Sequence, residues 1–515
     1  ITGTVASYTA STKTLVVAAS GSAGSGSHSS WTIGGTTTLR YATGAGYNAA
    51  SAPGWYDPRI QQPASFEQYL VAPGRTFGDS RAGAGALVLL NPDGALDGLI
   101  DYGFDGRSFV LLLGDDAGAY GSFAAVLTGT VEQPEFDFAR VTLRLRDRQA
   151  ETDVPLQPAK YAGTNSGSTG VEGLTADLQG KPKVRCWGEC WNVAPPAENT
   201  SALIYGLNHD SAGADAPINA VTAVRVGGAA WSLDTGVGTS GDAANLAALQ
   251  AASITTGQYA TCLAAGKIRL GSDPGAAVTV DLQGDKRGGT YRYKAGDVAS
   301  ELLVQVAGID SGDVASADVS ALNAANAAAV GFWADGETTV QAALDQVLGA
   351  VGATWWVDAD GSFRMARFEA PAGSPAVIFK RFVLDAAAAS TDADIVAIER
   401  LAATDATAGL PVQRVNLSYR RHWLVQTADG LVGIAAATGQ PYTREWRTAT
   451  SADATVAVLH ALAPSLDLES LLTDATAAAT EAARLQSLYG TRRDRYRVTA
   501  YVSAALAAAA VLGAV

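Results

Sequence analysis

Apolar and polar residues alternate along many short stretches of this chain, and this pattern predicts β-strands. In residues 139–147, Val141, Leu143 and Leu145 fall on one face of an extended strand, and the polar residues between them fall on the other. A strand with one apolar face is typical of an antiparallel sheet that covers a core on one side. Near the N-terminus, TVASY and TLVVAAS alternate around Ser-Thr-Lys and predict a hairpin.

Asp-Gly steps punctuate these strand patterns and predict tight turns. Asp93–Gly94, Asp97–Gly98 and Asp105–Gly106 fall within one region, residues 85–115. Glycine adopts the positive φ angles that such turns require. A fourth step, Asp360–Gly361, separates the strand patterns ATWWV and FRMARF and predicts another hairpin.

Helical periodicity appears near residue 297 and recurs towards the C-terminus. Residues 297–308 and 337–352 each place apolar side chains three and four positions apart, as in an amphipathic helix. The two apolar stripes are Val298, Leu302, Leu303 and Val306, then Val340, Leu344, Val347 and Leu348. Further helices are predicted over residues 242–251, over ATVAVLHALA and over LLTDATAAATEAARLQSLYG. Strands are predicted over AIERLAA, QRVNLSYRRHWLVQ and RYRVTAYVS.

These elements together predict an α+β chain that is mainly β, built from several small antiparallel β-barrel or sandwich domains and one α/β domain. A chain of 515 residues is too long for one core. The predicted domains are a partial β module at 1–44, a first β-barrel at 45–160, a second mainly-β domain at 161–296, the α/β domain at 297–385 and a closing β-barrel with a helical insertion at 386–515. The chain begins at Ile1 rather than Met and ends in the apolar run 503–515, so we expect a piece of a longer polypeptide, with the closing barrel truncated.

Charge limits the classes of partner. The 36 Lys and Arg against 50 Asp and Glu give a net charge of −14, which disfavours nucleic-acid binding by bulk electrostatics. Residues 301–400 carry five basic and fourteen acidic residues, a net of −9. Such a surface repels DNA, which would suit a conduit through which DNA slides. The alternative is an ordinary solvated acidic face. Charged residues make up only 17% of the chain, which suggests that copies or partners cover much of the surface.

Candidate metal and disulfide chemistry is sparse. Cys186 and Cys190 lie in RCWGEC, and Cys262 lies far away. An odd count of three does not form a disulfide framework and favours a reduced compartment. A zinc site needs four ligands, and these cysteines lack an evident third and fourth, so a packing role is predicted. No metal or other cofactor is predicted.

Two acidic groups are weighed as sites and interpreted as turns. Asp358 and Asp360 resemble the start of a calcium loop, but the full ligand set with its terminal Glu is absent, so a hairpin turn is expected. Glu132, Glu135 and Asp137 could be the paired acids of a glycosidase only at defined separations across a cleft. A turn at Pro134 is the preferred interpretation. We therefore expect no enzymatic activity.

Arginines form two clusters, and they are the only candidate site residues. Arginine interleaved with Tyr or Trp can bind nucleic acid, but the acidic chain favours ion pairs at a protein interface, or within the chain, with the acidic surface around 301–400. The seven candidates are Arg414, Arg420 and Arg421 in RVNLSYRRHW, and Arg492, Arg493, Arg495 and Arg497 in TRRDRYRV.

An ordered series of segments resembles the tail-hub proteins of long-tailed bacteriophages and of phage-derived gene transfer agents. YDPRIQQP with NPDGALDGLIDYGFDGRSFVLLLGD is similar to the first barrel of such hubs, and KPKVRCWGECWNVAPP to the segment that follows. ADGETTVQAALDQVLGAVGATWWVDADGSFRM resembles their helix-then-hairpin domain. RVNLSYRRHWLVQ with RLQSLYGTRRDRYRV resembles their closing barrel. The resemblance covers residues 45–515.

The resemblance implies a homotrimer with two similar hub barrels in each copy, so that three copies offer six like surfaces to a sixfold tail tube. It implies a structural virion protein at the tail tip, assembled in the host bacterial cytoplasm. The implied partners are the distal tail protein or tube ring, the tape-measure protein and the central tail fibre. Genome DNA would pass through without specific binding, and the host envelope receptor would be engaged indirectly.

Two rival functions stay open at this point. The chain could be an adhesin or receptor-binding fibre that recognises a host glycan or pilus through residues 1–34 and exposed aromatic residues such as Trp31 and Trp55. It could also be a wall-degrading enzyme, although no catalytic set is visible in the sequence. A glycan array would discriminate the first rival, and a peptidoglycan zymogram the second.

Overall fold

In a computed structural model of the chain, the described residues are 2–9, 14–21, 38–49, 54–71, 78, 80–115, 117–167, 169–370, 395–401, 410–433, 441–492 and 495–500. Strands account for 38% of the residues and helices for 21%, and the sheets curl into half-barrels. The predicted α+β class with mainly β content is therefore confirmed. Trp31 lies outside the described residues.

Two short ribbons open the fold. Strands β1 (Thr2–Thr9) and β2 (Thr14–Gly21) pair antiparallel, as the alternating pattern predicted. Strands β3 (Tyr47–Ala49) and β4 (Gly54–Tyr56) form a second antiparallel pair. The Tyr47 hydroxyl donates to the Gly118 carbonyl at 3.0 Å, and its ring centroid lies 4.8 Å from that of Phe123. The second ribbon is therefore attached to the loop region near residue 120.

The first large sheet has the order β5-β6-β10-β8-β7, with β9 beside β10. All its pairings are antiparallel. Val141, Leu143 and Leu145 of β10 are buried, which confirms the predicted alternation. The strands are β5 (Ile60–Tyr69), β6 (Arg81–Leu90), β7 (Arg107–Leu113), β8 (Ala124–Val131), β9 (Glu135–Phe136) and β10 (Arg140–Asp147).

The second large sheet has nine strands in the order β12-β13-β17-β16-β15-β14-β18-β11-β19. Gly188 lies in the middle of β11 at φ +63°, and a Cβ there would come within 1.8 Å of the Val330 carbonyl oxygen. The close pairing of β11 with β19 therefore requires glycine. The strands are β11 (Arg185–Val193), β12 (Ala197–Asn199), β13 (Ile204–Gly206), β14 (Ile218–Val226), β15 (Ala229–Leu233), β16 (Gln258–Cys262), β17 (Lys267–Leu270), β18 (Val278–Asp285) and β19 (Gly331–Ala334).

Helix α1 (Leu246–Ala251) is shorter than the predicted 242–251. Asp242 instead joins a turn, where its Oδ1 accepts hydrogen bonds from Thr261 Oγ1 and Leu263 N, both at 2.8 Å. The helix begins after Asn245, whose side chain accepts from Ala248 N. Short 3₁₀ turns lie at Asp97–Asp101, Tyr120–Ser122, Arg148–Thr152, Leu263–Ala265, Arg287–Gly289, Ser311–Asp313 and Ala428–Gly430.

The α/β region contains the two predicted amphipathic helices. Helix α2 (Ala295–Glu301) continues as a wider turn over Leu302–Val306, and α3 (Ser316–Ala325) follows. Helix α4 (Val340–Gly349) buries the predicted stripe completely. Strands β20 (Ala353–Val357) and β21 (Phe363–Arg367) form the predicted hairpin.

The C-terminal region combines a small sheet with a long helix. Strand β23 runs antiparallel to β24 and parallel to β25, and α6 packs against β23 and β24. Strands β22 and β26 form a separate antiparallel ribbon. The elements are β22 (Ile395–Leu401), β23 (Arg414–Tyr419), β24 (Arg447–Ala452), α5 (Ala454–Leu459), β25 (Ser465–Glu469), α6 (Ala475–Tyr489) and β26 (Arg495–Ala500).

One predicted strand ends early. The pattern QRVNLSYRRHWLVQ predicted a strand over its whole length, but β23 stops at Tyr419. Arg420 takes a left-handed φ of +50°, which turns the chain out of the sheet.

One of the hydrophobic cores joins distant parts of the sequence. Buried side chains from the α/β region, from β11 and β19, and from β23 and α6 form one continuous cluster. Trp187, Leu344, Val415 and Leu485 are all members. The four boundaries between the five predicted domains stay a prediction. This cluster includes residues on both sides of three of them.

Candidate interaction surfaces and a buried ionic cluster

Arg420 is held inside the chain. Its backbone N–H donates to the Leu472 carbonyl and its Nε to the Thr473 carbonyl, each at 2.7 Å. The guanidinium carbon lies 4.4 Å from the centroid of the Trp191 ring. Such stacking on an indole face is favourable for a cation. Arg420 therefore attaches the end of β23 to the end of β11.

Arg421 also has partners within the chain. Its Nε donates to Glu445 Oε1 at 2.9 Å, and its guanidinium lies over the rings of Trp423 and Trp446 at 4.4 and 5.3 Å. Its carboxylate partner thus lies outside the acidic stretch 301–400 that the sequence suggested.

The segment after Arg421 continues the attachment to β11. Trp423 N donates to the Trp191 carbonyl at 3.1 Å, and Leu424 N donates to the Asn192 carbonyl at 2.9 Å. Asn192 returns a bond from Nδ2 to the Leu424 carbonyl at 2.7 Å. The Arg-Trp interleaving that could suggest nucleic acid is therefore used here to join two parts of one chain.

The other candidate arginines that the structure describes are more exposed to solvent. Arg497 on β26 pairs with Glu399 on β22 at 3.4 Å, and both side chains are exposed. Arg414 and Arg492 are exposed as well. The backbone of Arg495 pairs with Leu401, but its side chain and the whole of Arg493 lie outside the described residues. A role for these arginines at an interface with another protein stays a prediction.

Strand β7 forms one edge of the first sheet, and it is apolar. In the described part of the chain it pairs only with β8. Its sequence RSFVLLL has neither Pro nor Lys, and Val110 is 56% exposed. The opposite edge, β5, contains Pro63 and three register shifts, which are features that discourage further pairing. The sheet thus offers one edge that is open to a further strand.

Two groups of exposed apolar side chains lie elsewhere. The first group lies at one end of the first sheet and consists of Ile100, Tyr102 and Phe138. The two segments that carry these residues are neighbours there, because Asn91 N donates to the Ala139 carbonyl at 2.6 Å. Val458, Leu459 and Leu462 project from α5 and the loop after it. Exposed apolar groups of this kind mark surfaces that bind other proteins more often than isolated residues do.

A buried ionic cluster lies inside the second sheet. Lys267 Nζ lies 2.7 Å from Glu198 Oε2 and 2.8 Å from Asp215 Oδ1. His209 Nε2 lies 2.9 Å from Glu198 Oε1 and 3.0 Å from Lys267 Nζ. The Tyr161 hydroxyl donates to Glu198 Oε1 at 2.9 Å. Glu198 and Lys267 are both 0% exposed, so an external substrate cannot reach these two side chains, whereas the Asp215 side chain is 29% exposed.

The charges in this cluster stabilise one another. Burial alone would raise the pKa of Glu198, but Lys267 and His209 outweigh it and lower that pKa to about 2. Burial would lower the pKa of Lys267, but Glu198 and Asp215 outweigh it and raise that pKa. No local sequence pattern marks this cluster, because its members come from separate strands and loops.

The acidic groups considered as possible sites are used in turns and ion pairs. Asp358 accepts from Arg364 Nη1 at 3.1 Å, and Asp360 accepts from Ser362 N in the β20–β21 turn, as predicted. Glu132 and Glu135 pair with Arg146 and Arg144 across the first sheet. Asp137 Oδ1 accepts from Ala139 N in the turn between β9 and β10, which follows the turn predicted at Pro134.

The cysteines are buried and unbridged. Cys186, Cys190 and Cys262 are free thiols, and burial raises the pKa of each. A raised thiol pKa suppresses nucleophilic thiolate. Within the described ranges, no group of three or more His, Cys, Asp or Glu side chains is arranged to hold a metal ion.

A polar pocket of 520 Å³ lies at the first turns of α6. Four of its charged side chains form two ion pairs, Arg484 with Glu481 and Arg367 with Glu369, each at 2.6 Å. Arg484 also donates to the Phe368 carbonyl at 2.7 Å, and Asp474 caps the N-terminus of α6. Burial raises the pKa of Glu481 in spite of its arginine neighbours.

Among the residues that the structure describes, no helix combines the length and apolar character needed to cross a membrane.

The chain is similar to several solved structures, and two of them are tail proteins. The chain is similar to a tail protein from Neisseria meningitidis MC58, with 10% identity and a TM-score of 0.34 over 85% of this chain and 74% of that one. It is also similar to the 43 kDa tail protein of prophage MuSo2 from Shewanella oneidensis, with 12% identity and a TM-score of 0.31 over 87% of this chain and 79% of that one. TM-scores this low do not establish a common fold. No family model matches the chain, and no curated protein matches it either.

Proposed function

We propose that this chain is a structural protein of a phage-like tail, and that it forms the hub at the tail tip. The observation that carries the proposal is the open apolar edge of β7 on a curled sheet. Such an edge is a liability in a soluble monomer and a joining surface in an assembly. The ordered resemblance of residues 45–515 to tail-hub proteins supplies the kind of assembly.

In this proposal the chain assembles as a homotrimer around the path of the genome. The hub contacts the distal tail protein or tube ring, the tape-measure protein and the central tail fibre. The acidic stretch 301–400 lines the path and repels DNA, so that the genome slides without sticking. Rearrangement of the protein–protein interfaces then opens the tip when the receptor is engaged.

The proposed role is not enzymatic. In the ionic cluster, Glu198 and Lys267 are fully buried and have no access for a polymeric substrate. The acids considered as glycosidase candidates are used in ion pairs and turns. A peptidoglycan zymogram with the purified chain should therefore show no clearing.

The test is the oligomeric mass of the purified chain, measured by light scattering and native mass spectrometry. A trimer is expected for the wild type. Val110→Lys places a charge on the open edge and should reduce the trimer, whereas Val110→Ile keeps the edge apolar and should leave the trimer intact. A stable monomer at high protein concentration would refute the hub.

A second candidate function is a receptor-binding adhesin, and the exposed Trp55 favours it. This ring lies on β4 at the surface, where it could stack on a sugar. A glycan array with the wild type and Trp55→Ala decides between the two functions. Selective binding that Trp55→Ala abolishes would favour the adhesin over the hub.

A further inference from the structure

Arg185 is a buried cation whose hydrogen bonds are only partly made within the chain. It is the first residue of β11 and is 0% exposed. Its Nη1 donates to the Leu156 carbonyl at 2.8 Å and to Ser211 Oγ at 3.3 Å. Nε and Nη2 are buried as well, yet neither donates to an acceptor among the described residues. A buried donor without an acceptor is costly, and the cost is larger when the donor is charged.

The two remaining donors form one edge of the guanidinium. The N–H bonds of Nε and Nη2 point the same way in one plane, and arginine uses this edge to hold an anion through two hydrogen bonds. Cζ of Arg185 lies 4.7 Å from the centroid of the Trp187 ring, so the indole fixes the plane of the group. The indole N–H of Trp187 is a further buried donor that meets no acceptor in the described part of the chain.

A second arginine, Arg287, acts on Arg185 through its charge. Its Nε donates to Asp285 Oδ2 at 2.7 Å. Its Nη2 lies 3.4 Å from Glu301 Oε1 but, within the described ranges, is buried and makes no hydrogen bond. Burial, and then the charge of Arg287, lowers the pKa of Arg185 to about 10, so the group still carries its charge at neutral pH. Two neighbouring cations with incomplete hydrogen bonding favour a bound negative charge.

The carboxylates around the two arginines have other partners. Asp285 Oδ2 also accepts from Asn208 Nδ2 at 3.0 Å. Glu301 Oε2 lies 3.3 Å from Arg292 Nε. Asp210 Oδ1 accepts from two backbone N–H groups of its own turn, each at 2.9 Å. In the described part of the chain, no carboxylate therefore completes the Nε–Nη2 edge.

We propose that the Nε–Nη2 edge of Arg185 binds one small inorganic anion such as chloride, with Arg287 as the neighbouring positive charge. The full burial of Arg185 excludes a ligand as large as a sugar phosphate or a peptide. The side chains of Arg287 and Arg292 are 22% and 28% exposed, so a small ion has a short route from solvent. The bound ion stabilises the start of β11 where it meets the segment that contains Leu156.

Arg269 on β17 shows how the same sheet holds an arginine through the chain alone. Its Nε and Nη1 donate to four backbone carbonyl groups at 2.7–3.0 Å, which are those of Ala202, Leu249, Gln250 and Ala252. Arg269 therefore provides the matched control for a substitution of Arg185.

The first test is the melting temperature of the full chain at constant ionic strength, with sodium chloride replacing sodium gluconate, whose anion is too large for the site. Chloride should stabilise the wild type, and the unfolding equilibrium constant should fall about tenfold when chloride reaches roughly ten times its dissociation constant. Arg185→Lys keeps the positive charge but lacks the two-donor edge, so it should lose this chloride dependence. Arg269→Lys should keep it. The same chloride dependence in the wild type and in Arg185→Lys overturns the proposal.

The second test uses the wild type alone, so it decides the matter even where Arg185→Lys does not fold. In crystals grown with sodium bromide, the anomalous signal should place one bromide within hydrogen-bond distance of Arg185 Nε and Nη2. Density for water alone at this edge overturns the proposal. Neither test requires a partner or a trimer, so their outcome is independent of the tail-tip proposal.

Discussion

Arg148 joins the first sheet to the α/β region, and its removal should weaken that junction. Its Nη1 donates to Asp313 Oδ2 at 2.7 Å and to the Gly361 carbonyl at 2.9 Å, and its Nε donates to Glu151 at 2.9 Å. The guanidinium also lies 5.2 Å from the centroid of the Phe363 ring. Asp313 and Gly361 both belong to the α/β region, so these bonds cross between two parts of the fold.

The expected size of the effect follows from burial. A hydrogen bond to a charged group contributes roughly 1.5–3 kcal/mol, but the carboxylates that Arg148 binds keep part of their hydration. We expect Arg148→Ala to lower the free energy of unfolding by about 2–3 kcal/mol in total. Arg144→Ala is the matched control, because Arg144 also pairs with a glutamate but both side chains are more than half exposed. An exposed pair contributes about 0.2–1 kcal/mol.

Urea unfolding followed by circular dichroism measures the difference. With a slope of about 2–3 kcal/mol per molar urea, Arg148→Ala should lower the midpoint by about 1 M and Arg144→Ala by less than about 0.5 M. Hydrogen exchange should also quicken in residues 340–367 in the first variant only. Equal midpoint shifts in the two variants would show that the junction does not depend on Arg148.

Three further predictions concern the second sheet and its neighbours. Gly188→Ala should lower the free energy of unfolding by roughly 2 kcal/mol or more, because the added Cβ would meet the Val330 carbonyl and the backbone has a left-handed φ. A thermal melt checks this, with Gly257→Ala as the control, since Gly257 also has a positive φ but no atom near its Cβ position. Burial, and then the charge of Arg447, lowers the pKa of His422 in the folded chain. As the pH falls, the unfolded chain therefore binds a proton at this residue before the folded chain does, and the free energy of unfolding should decrease below about pH 6.5. In His422→Gln this dependence, measured by urea unfolding at neutral and mildly acidic pH, should flatten, and an unchanged slope would contradict the assignment. The three buried thiols should react with a thiol reagent only after unfolding, and rapid labelling of the native chain would show that the sheet opens.

The sequence predicts the elements whose signals are local. The alternation in β10 and the apolar stripe of α4 repeat within a few residues, and burial in the structure follows both patterns. The turn at Asp360–Gly361 is equally local, because glycine at a positive φ specifies it. Such features depend on neighbours in the chain and so can be read without the fold.

The partners of the arginines and the buried cluster depend on contacts between distant residues. Arg420 stacks on Trp191, more than two hundred positions earlier in the chain, and nothing in RVNLSYRRHW indicates that ring. Glu198, His209 and Lys267 each look like an ordinary polar residue in its own segment. Only the order of strands β12, β13 and β17 in one sheet brings them together.

The core that contains both Trp187 and Leu485 has a consequence for biosynthesis. A ribosome must add some three hundred residues after Trp187 before Leu485 can join the same core. During that interval the side chains that β11 and β19 contribute to this core lack those of α6, and contacts of such long sequence separation form slowly. The nascent chain should therefore depend on chaperones until its last long helix emerges.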